Sequence, residues 1–219
     1  MCIRDRFLCI WSEMLAPATP HIAEEFWSSL GGQGLLASNT LSDLSDLSES
    51  DRSLVLAREE YLMELIDTAR NLKALAQKHT DSHLSRMIVQ VASKWKSDLA
   101  SDAINLASMD FDFKSKGQEH IRNLPVFENE TMRGEIFQIW MTLTTGSKKR
   151  RGRIHTWSNA QKTLLLNHLD EVEIINQNSE FLADVLDMKS VTSYFVGEGE
   201  DVAGKAKVAF PLEPGIAFV

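Results

Sequence analysis

The stretch Leu15-Ala16-Pro17-Ala18-Thr19-Pro20-His21-Ile22-Ala23-Glu24-Glu25-Phe26-Trp27 lies near the beginning of the chain and predicts two helices that meet at a sharp turn. Pro17 disfavours helical geometry at the residue before it, so we expect the first helix to stop there. Thr19 is expected at the N-cap of the second helix, with Pro20 at its first helical position. The glycine pair at 31–32 then predicts the end of that helix.

The composition predicts a soluble globular protein, because 43% of the 219 residues are hydrophobic and 25% are charged. The length suits two small domains. No apolar run approaches the roughly 18 to 20 residues that a membrane span needs. The formal net charge of −8 argues against RNA binding by the whole surface, so any RNA contact must be local. Cys2 and Cys9 match neither a zinc ligand pair nor a disulfide framework, and we expect a reduced, cytoplasmic protein.

Hydrophobic periodicity divides the rest of the chain into helices and a few strands. After a Ser/Asp/Leu-rich loop at 38–53, a long helix is predicted from about residue 51 to residue 78. Later helices are expected to begin after three capping residues, and another helix spans 169–186; the capping residues are Ser93, Thr131 and Ser158, the last with Gln161 in capping-box order. Short β-branched or aromatic runs predict strands at 87–91, 191–196, 207–210 and 216–219.

The opening stretch resembles the segment that begins the final helices of the anticodon-binding bundle in class I aminoacyl-tRNA synthetases for leucine, isoleucine, valine and methionine. Later motifs resemble leucyl-tRNA synthetases of the archaeal and eukaryotic cytosolic type in particular. These motifs are Gly31-Gly32-Gln33-Gly34-Leu35-Leu36-Ala37, Val91-Ala92-Ser93-Lys94-Trp95-Lys96, the run 171–178 with Phe181, Leu182 and Leu186, and the ending Ala209-Phe210-Pro211-Leu212-Glu213-Pro214-Gly215-Ile216-Ala217-Phe218-Val219.

The resemblance implies a mainly α chain with an α+β part. Residues 7–80 would be the C-terminal helices of the anticodon-binding domain, 81–86 a linker, and 87–219 a small α+β tRNA-binding C-terminal domain. Residues 1–6 do not resemble the family, and we interpret them as a non-native, assembly-derived start.

No catalytic constellation is evident in the sequence. The His-x-Gly-His and Lys-Met-Ser-Lys-Ser motifs with which this class handles ATP do not occur, so we expect no catalytic residue and no cofactor in this chain, ATP and Mg²⁺ serving the parent enzyme. His21 lacks a paired nucleophile and is interpreted as structural. His79 and His83 lack a third ligand, so no metal site is predicted. The neighbouring carboxylates of Glu24 and Glu25 diverge on a helix and suit solvent or a salt bridge.

A basic segment is the feature best suited to RNA. Five cations occur in six residues, and a flexible basic loop suits phosphates; they are Lys148, Lys149, Arg150, Arg151 and Arg153. Lys205 and Lys207, beside a Gly-rich turn, are weaker candidates. The resemblance adds the last four residues as candidates for main-chain or apolar contact with splayed bases, namely Ile216, Ala217, Phe218 and Val219.

The resemblance implies a parent leucine–tRNA ligase whose C-terminal domain holds the long variable arm of tRNA(Leu). The chain alone would be inactive and monomeric, with tRNA(Leu) and the upstream catalytic domain as partners and no membrane. Two alternatives stay open. One is the tail of an isoleucyl- or valyl-tRNA synthetase, and the other is a helical protein-interaction module that binds no RNA.

Overall fold

The computed structural model describes residues 3–38, 48–78, 84–145 and 152–219, and its contacts divide the chain into two compact units. The first unit is Met1–Glu49 and the second is Ser50–Val219. In the first unit, α1 spans Ile3–Leu15 and α2 spans Pro20–Ser29. The break predicted at Pro17 is therefore confirmed.

Local hydrogen bonds at both ends of α2 explain its length. Thr19 is the N-cap and Pro20 opens the helix, as predicted, but the Thr19 hydroxyl does not cap it and instead donates to the carbonyl of Leu15 at 3.3 Å. At the other end, Gly31 adopts φ 82° and its N–H donates to the carbonyl of Ser28. Gly32 donates to the carbonyl of Trp27, which completes a Schellman motif.

The carboxylate of Glu24 joins α2 to the chain that follows it. Its two oxygens accept hydrogen bonds from the main-chain N–H groups of Leu36 (2.9 Å) and Ala37 (3.0 Å). These residues begin the 3₁₀ turn Leu36–Ser38, and Leu36 is buried. Glu24 therefore satisfies two donors at the start of the turn, a more specific role than the solvent or salt-bridge position predicted for it.

The second unit combines seven helices of the described chain with a three-stranded sheet. The helices are α3 (Glu49–Gln77), α4 (Lys94–Ser108), α5 (Phe113–Arg122), α6 (Arg133–Thr144), α7 (Asn159–Leu166), α8 (Glu171–Gln177) and α9 (Ser179–Val185). The strands are β1 (Arg86–Val91), β2 (Ser190–Phe195) and β3 (Gly215–Phe218), in the order β2-β1-β3. The predicted mainly α fold with an α+β part is confirmed.

The central strand β1 organises the sheet. It pairs in parallel with β2, Met87 opposite Val191, and antiparallel with β3, Met87 opposite Phe218. Five of its six residues are buried, as expected for a strand covered on both faces. The parallel pairing requires a long crossover, and α4 to α9 supply it between β1 and β2.

Helix α3 is part of the second unit rather than of the bundle to which we assigned residues 7–80. Its buried side chains Tyr61, Leu65 and Ile66 join the core that contains β1. The ammonium of Lys73 donates to the carbonyls of Leu186 (2.7 Å) and Asp187 (2.9 Å) just beyond α9. The compact units divide after Glu49. The linker predicted at 81–86 concerns the domains of the family and stays a prediction.

Three predicted elements differ from the structure. Thr131 does not cap α6, because the Asn129 side chain caps a 3₁₀ turn that precedes the helix. The helix predicted at 169–186 is two helices, separated at Asn178, whose side-chain amide donates to the carbonyl of Ile174. The strand predicted at 207–210 is wrong: Val202–Val208 is a 3₁₀ turn, in which Asp201 accepts from the N–H of Ala206.

Other capping predictions are confirmed or extended. Ser158 and Gln161 form the expected capping box at the start of α7. Ser93 occupies the N-cap of α4 without a capping side-chain bond. Helix α5 was not predicted, although Asp112 caps it by accepting from the N–H groups of Lys114 and Ser115.

Replacement of Glu24 by Ala is predicted to loosen the turn that follows α2. Loss of two hydrogen bonds to a carboxylate costs roughly 1.4 kcal/mol or more locally, so the amides of Leu36 and Ala37 should exchange with solvent roughly tenfold faster. Hydrogen-exchange measurement of those amides checks this. Glu25→Ala, at the exposed neighbouring position, is the matched control, and equal protection in both variants would contradict the role given to Glu24.

Candidate nucleic-acid interface

The closing strand β3 holds most of the C-terminal residues predicted to contact RNA. Ile216 and Ala217 are buried, at 3% and 4% exposure. Phe218 is half-buried, and Val219 is 42% exposed. Apolar contact with a base is therefore geometrically open to Val219 and partly to Phe218, but not to the side chains of Ile216 and Ala217.

The pairing of β3 with β1 determines which main-chain groups point outward. Val219 donates to the carbonyl of Arg86 at 2.9 Å and accepts from the N–H of the same residue at 2.9 Å. Because hydrogen-bonded and non-hydrogen-bonded pairs alternate in an antiparallel ladder, the N–H and C=O groups of Phe218 and Ile216 point away from β1. Because Ile216 as a whole residue is 3% exposed, only the outward main-chain groups of the half-buried Phe218 are open to contact with RNA.

A 3₁₀ turn that carries Lys205 and Lys207 packs beside β3. A Cβ at Gly215 would overlap the carbonyl oxygen of Lys205, so only glycine allows this approach of two backbones. Lys205 is half-buried and Lys207 is exposed. The two weaker cation candidates therefore lie at the start of the predicted C-terminal contact segment.

Arg153 also contacts this part of the chain, although it lies 60 residues before Glu213 in the sequence. It lies in the 3₁₀ turn Arg153–His155, and its Nη2 is 2.8 Å from Oε2 of Glu213. Both side chains are partly exposed, so the pair itself adds little stability. The structure thus brings the Arg153 guanidinium, the backbone of Lys205 and the start of β3 together around residues 213–215. Lys148, Lys149, Arg150 and Arg151 lie outside the described residues.

A buried carboxyl group holds the chain just before this segment. One oxygen of Glu171 accepts from the Tyr61 hydroxyl at 2.8 Å, and the other accepts from the N–H of Leu212 at 3.2 Å. Leu212 adopts φ 62°, an uncommon conformation for a residue with a side chain. The hydrogen bonds of Glu171 therefore link α3, α8 and the approach to β3.

Burial dominates the ionisation of this pair. It raises the pKa of Glu171 from 4.5 to about 7, because removal from water disfavours the charged carboxylate, and the two donated hydrogen bonds only partly counteract this. Burial likewise raises the pKa of Tyr61 well above its usual value, with a contribution from the neighbouring carboxylate. The hydrogen bonds given for Tyr61 and Glu171 connect parts of the fold, and we assign both groups a structural role.

Three histidines were considered as a candidate base or as candidate metal ligands. His21 is exposed on α2, and His79 and His83 lie outside the described residues. Within the described ranges, no three His, Cys, Asp or Glu side chains are grouped so as to hold a metal ion. In the same ranges, no helix has the length and apolar character of a membrane span.

Sequence comparison finds similarity between this chain and aminoacyl-tRNA ligases. A family profile described as the anticodon-binding domain of tRNA ligase matches residues 3–100. The match starts inside the segment 1–6 that we interpreted as non-native. Leucine–tRNA ligases of Methanococcus maripaludis (26% identical) and Pyrococcus horikoshii (24%) align with 94% of this chain, and leucine–tRNA ligase 1 of Sulfolobus acidocaldarius (26%) with 95%.

The predicted resemblance to leucyl-tRNA synthetases is confirmed. The chain covers only 18% to 20% of the length of these leucine–tRNA ligases. The resemblance to leucyl-tRNA synthetases therefore runs through both compact units, while most of the length of the relatives has no counterpart in the 219 residues.

The stability of the chain is predicted to depend on pH through Glu171. The folded state keeps its proton up to about pH 7 whereas the unfolded state releases it near pH 4.5, so unfolding free energy should fall as the pH rises between these values, by at most about 3 kcal/mol. Urea midpoints between pH 4.5 and pH 8 measure this fall.

Glu171→Gln should remove that part of the pH dependence, because the amide does not ionise. Glu173→Gln, at an exposed position of the same helix, is the control and should keep the slope of the unaltered chain. An unchanged slope in Glu171→Gln would contradict the assignment.

Proposed function

We propose that this chain is the tRNA-binding part of a leucyl-tRNA synthetase and that it holds tRNA(Leu) by its long variable arm. The observation that carries the proposal is the convergence of Arg153, Lys205 and the outer edge of β3 around residues 213–215. Cations suit phosphates, and outward main-chain groups suit the edges of unpaired bases. The resemblance to leucine–tRNA ligases through 94% of the chain supports the choice of RNA.

The proposal leaves the chemistry of leucylation to the rest of the enzyme. Neither signature motif for ATP handling occurs in the 219 residues. We assign ATP and Mg²⁺ to a catalytic domain of the whole protein, with which this chain would work in the cytoplasm as part of a monomer. The chain contributes position: by holding the tRNA it raises the effective concentration of the acceptor end at the catalytic domain.

The charge distribution is consistent with a local RNA contact. The net charge of −8 repels a polyanion over most of the surface. A small cationic region on such a surface favours a single orientation of the bound RNA, because other orientations bring phosphates near carboxylates.

Selective binding of leucine tRNA is the first expected outcome. In a filter assay, the 219-residue chain should bind a leucine tRNA transcript at least roughly tenfold more tightly than isoleucine or valine tRNA transcripts, which have short variable arms. Equal affinities would refute variable-arm recognition. Preference for isoleucine or valine tRNA would favour the corresponding synthetase tail, and no binding to any of them would favour the protein-interaction module.

The ion pair between Arg153 and Glu213 provides a second test, because changes in its two partners should alter the tRNA affinity in opposite directions. Glu213→Gln should strengthen leucine tRNA binding by roughly threefold, because it removes a carboxylate and releases the guanidinium. Arg153→Ala should weaken binding and reduce the slope of log affinity against log salt by about one.

The control is the exposed pair of Arg133 and Glu130, which are 3.1 Å apart at the beginning of α6. Glu130→Gln should change the affinity less than Glu213→Gln. If the two Glu→Gln variants behave alike, the effect is one of net charge and residues 213–215 are not at the interface.

A further inference from the structure

A cavity of about 640 Å³ lies between the beginning of α5 and the end of α6, and its described lining residues are not among the predicted site residues. Its volume falls within the range of about 300 to 1,000 Å³ that is usual for small-ligand sites. Its walls come from two parts of the chain: Phe111, Asp112, Phe113 and Lys114 on one side, and Thr144, Thr145, Gly152 and His155 on the other.

Two half-buried aromatic rings form one wall of the cavity. Phe111 and Phe113 meet edge to face, with their centroids 5.3 Å apart. Phe111 also contacts the ring of His120 at 5.7 Å, and Phe113 contacts Trp140 at 5.9 Å. Trp140 is 1% exposed. The core already restricts the motion of the two rings. The stacking of a ligand on them therefore costs little additional side-chain entropy.

The opposite wall is formed by the end of α6 and by the chain that begins at Gly152. A Cβ at Gly152 would overlap the carbonyl group of Thr144, so the chain returns directly onto the last turn of α6.

The described polar groups of the cavity complement a nucleotide. Lys114 and His155 are exposed, one on each side, and both can donate to phosphate oxygens. The carboxylate of Asp112 is the one acidic group among the lining residues, and it is engaged in capping α5 by accepting from Lys114 N–H, Ser115 N–H and the Ser115 hydroxyl. These bonds lower the pKa of Asp112, the side-chain bond from Ser115 most of all.

We propose that this cavity receives one unpaired base of the bound RNA, stacked on Phe111, with Lys114 and His155 at the flanking phosphates. The inference rests on the proposed function and adds to it a second contact, separate from β3. Stacking on an aromatic ring accepts any base, so the cavity would sense whether a base is unpaired rather than which base it is.

A double-mutant cycle between the protein and the RNA tests the stacking contact. Each unpaired position of a leucine tRNA transcript is replaced in turn by an abasic residue, and its affinity for the unaltered chain and for Phe111→Leu is measured. At one position, base removal should weaken binding to the unaltered chain roughly tenfold, the usual scale for base stacking on an aromatic ring. The same change should cost Phe111→Leu less than about twofold.

Phe181→Leu is the matched control, because this phenylalanine is 52% exposed on α9. It should respond to abasic substitution as the unaltered chain does. If every abasic change costs the unaltered chain and Phe111→Leu equally, the stacking proposal is overturned while RNA binding stands. If the unaltered chain binds no tRNA, both proposals fail.

His155→Ala supplies a test that does not disturb the aromatic wall. It should weaken binding of the unmodified transcript by roughly threefold. The control is His168→Asn, another exposed histidine, whose φ of 49° asparagine tolerates. Should Phe111→Leu fail to fold, equal affinities of His155→Ala and His168→Asn would overturn the proposal.

Discussion

The carboxyl group of Glu171 is the interaction on which the arrangement of the second unit depends most. It is 5% exposed, and it accepts one hydrogen bond from α3 and one from the chain before β3. Placing a carboxyl group inside a protein is costly, and its pKa of about 7 records that cost. Removing it would leave the Tyr61 hydroxyl and the Leu212 N–H buried without this acceptor, which is also costly.

This contact has a consequence for the RNA surface that we propose. Leu212 precedes the segment 213–215, which the Arg153 guanidinium contacts at Glu213 and the Lys205 backbone contacts at Gly215. The position of β3 against β1, and with it the outward direction of the Phe218 main chain, follows from where that segment begins. A group buried about forty residues earlier in the sequence therefore helps to place a surface strand.

The cations gathered here lie on a chain that is acidic overall. A polyanion meets repulsion over most of such a surface and attraction in one region, so charge selects orientation more than it adds affinity. The cavity at Phe111 complements that region, because aromatic stacking loses little strength when salt screens the cations.

Local chemistry made several elements predictable from the sequence. Pro17 ends α1, the glycine pair ends α2, Ser158 and Gln161 cap α7, and the mostly apolar run at 87–91 became the central strand. Each of these signals acts within a few residues, so no distant partner is needed to interpret it. The strand predicted at 207–210 shows the limit, because residues 207–208 end a 3₁₀ turn and Phe210 forms only an isolated antiparallel bridge with Glu213.

By itself the sequence determined the ends of α1 and α2, the start of α7, the three strands of the sheet and the basic segment, because these depend on neighbouring residues. Only the tertiary structure decided that α3 packs with the sheet, that Ile216 and Ala217 are buried, and that Phe111 and His155 share a cavity. These outcomes rest on contacts between residues far apart in the chain, such as Tyr61 with Glu171. Many apolar and polar groups of the chain are compatible with one another. The packing of the whole core decides which of them come into contact.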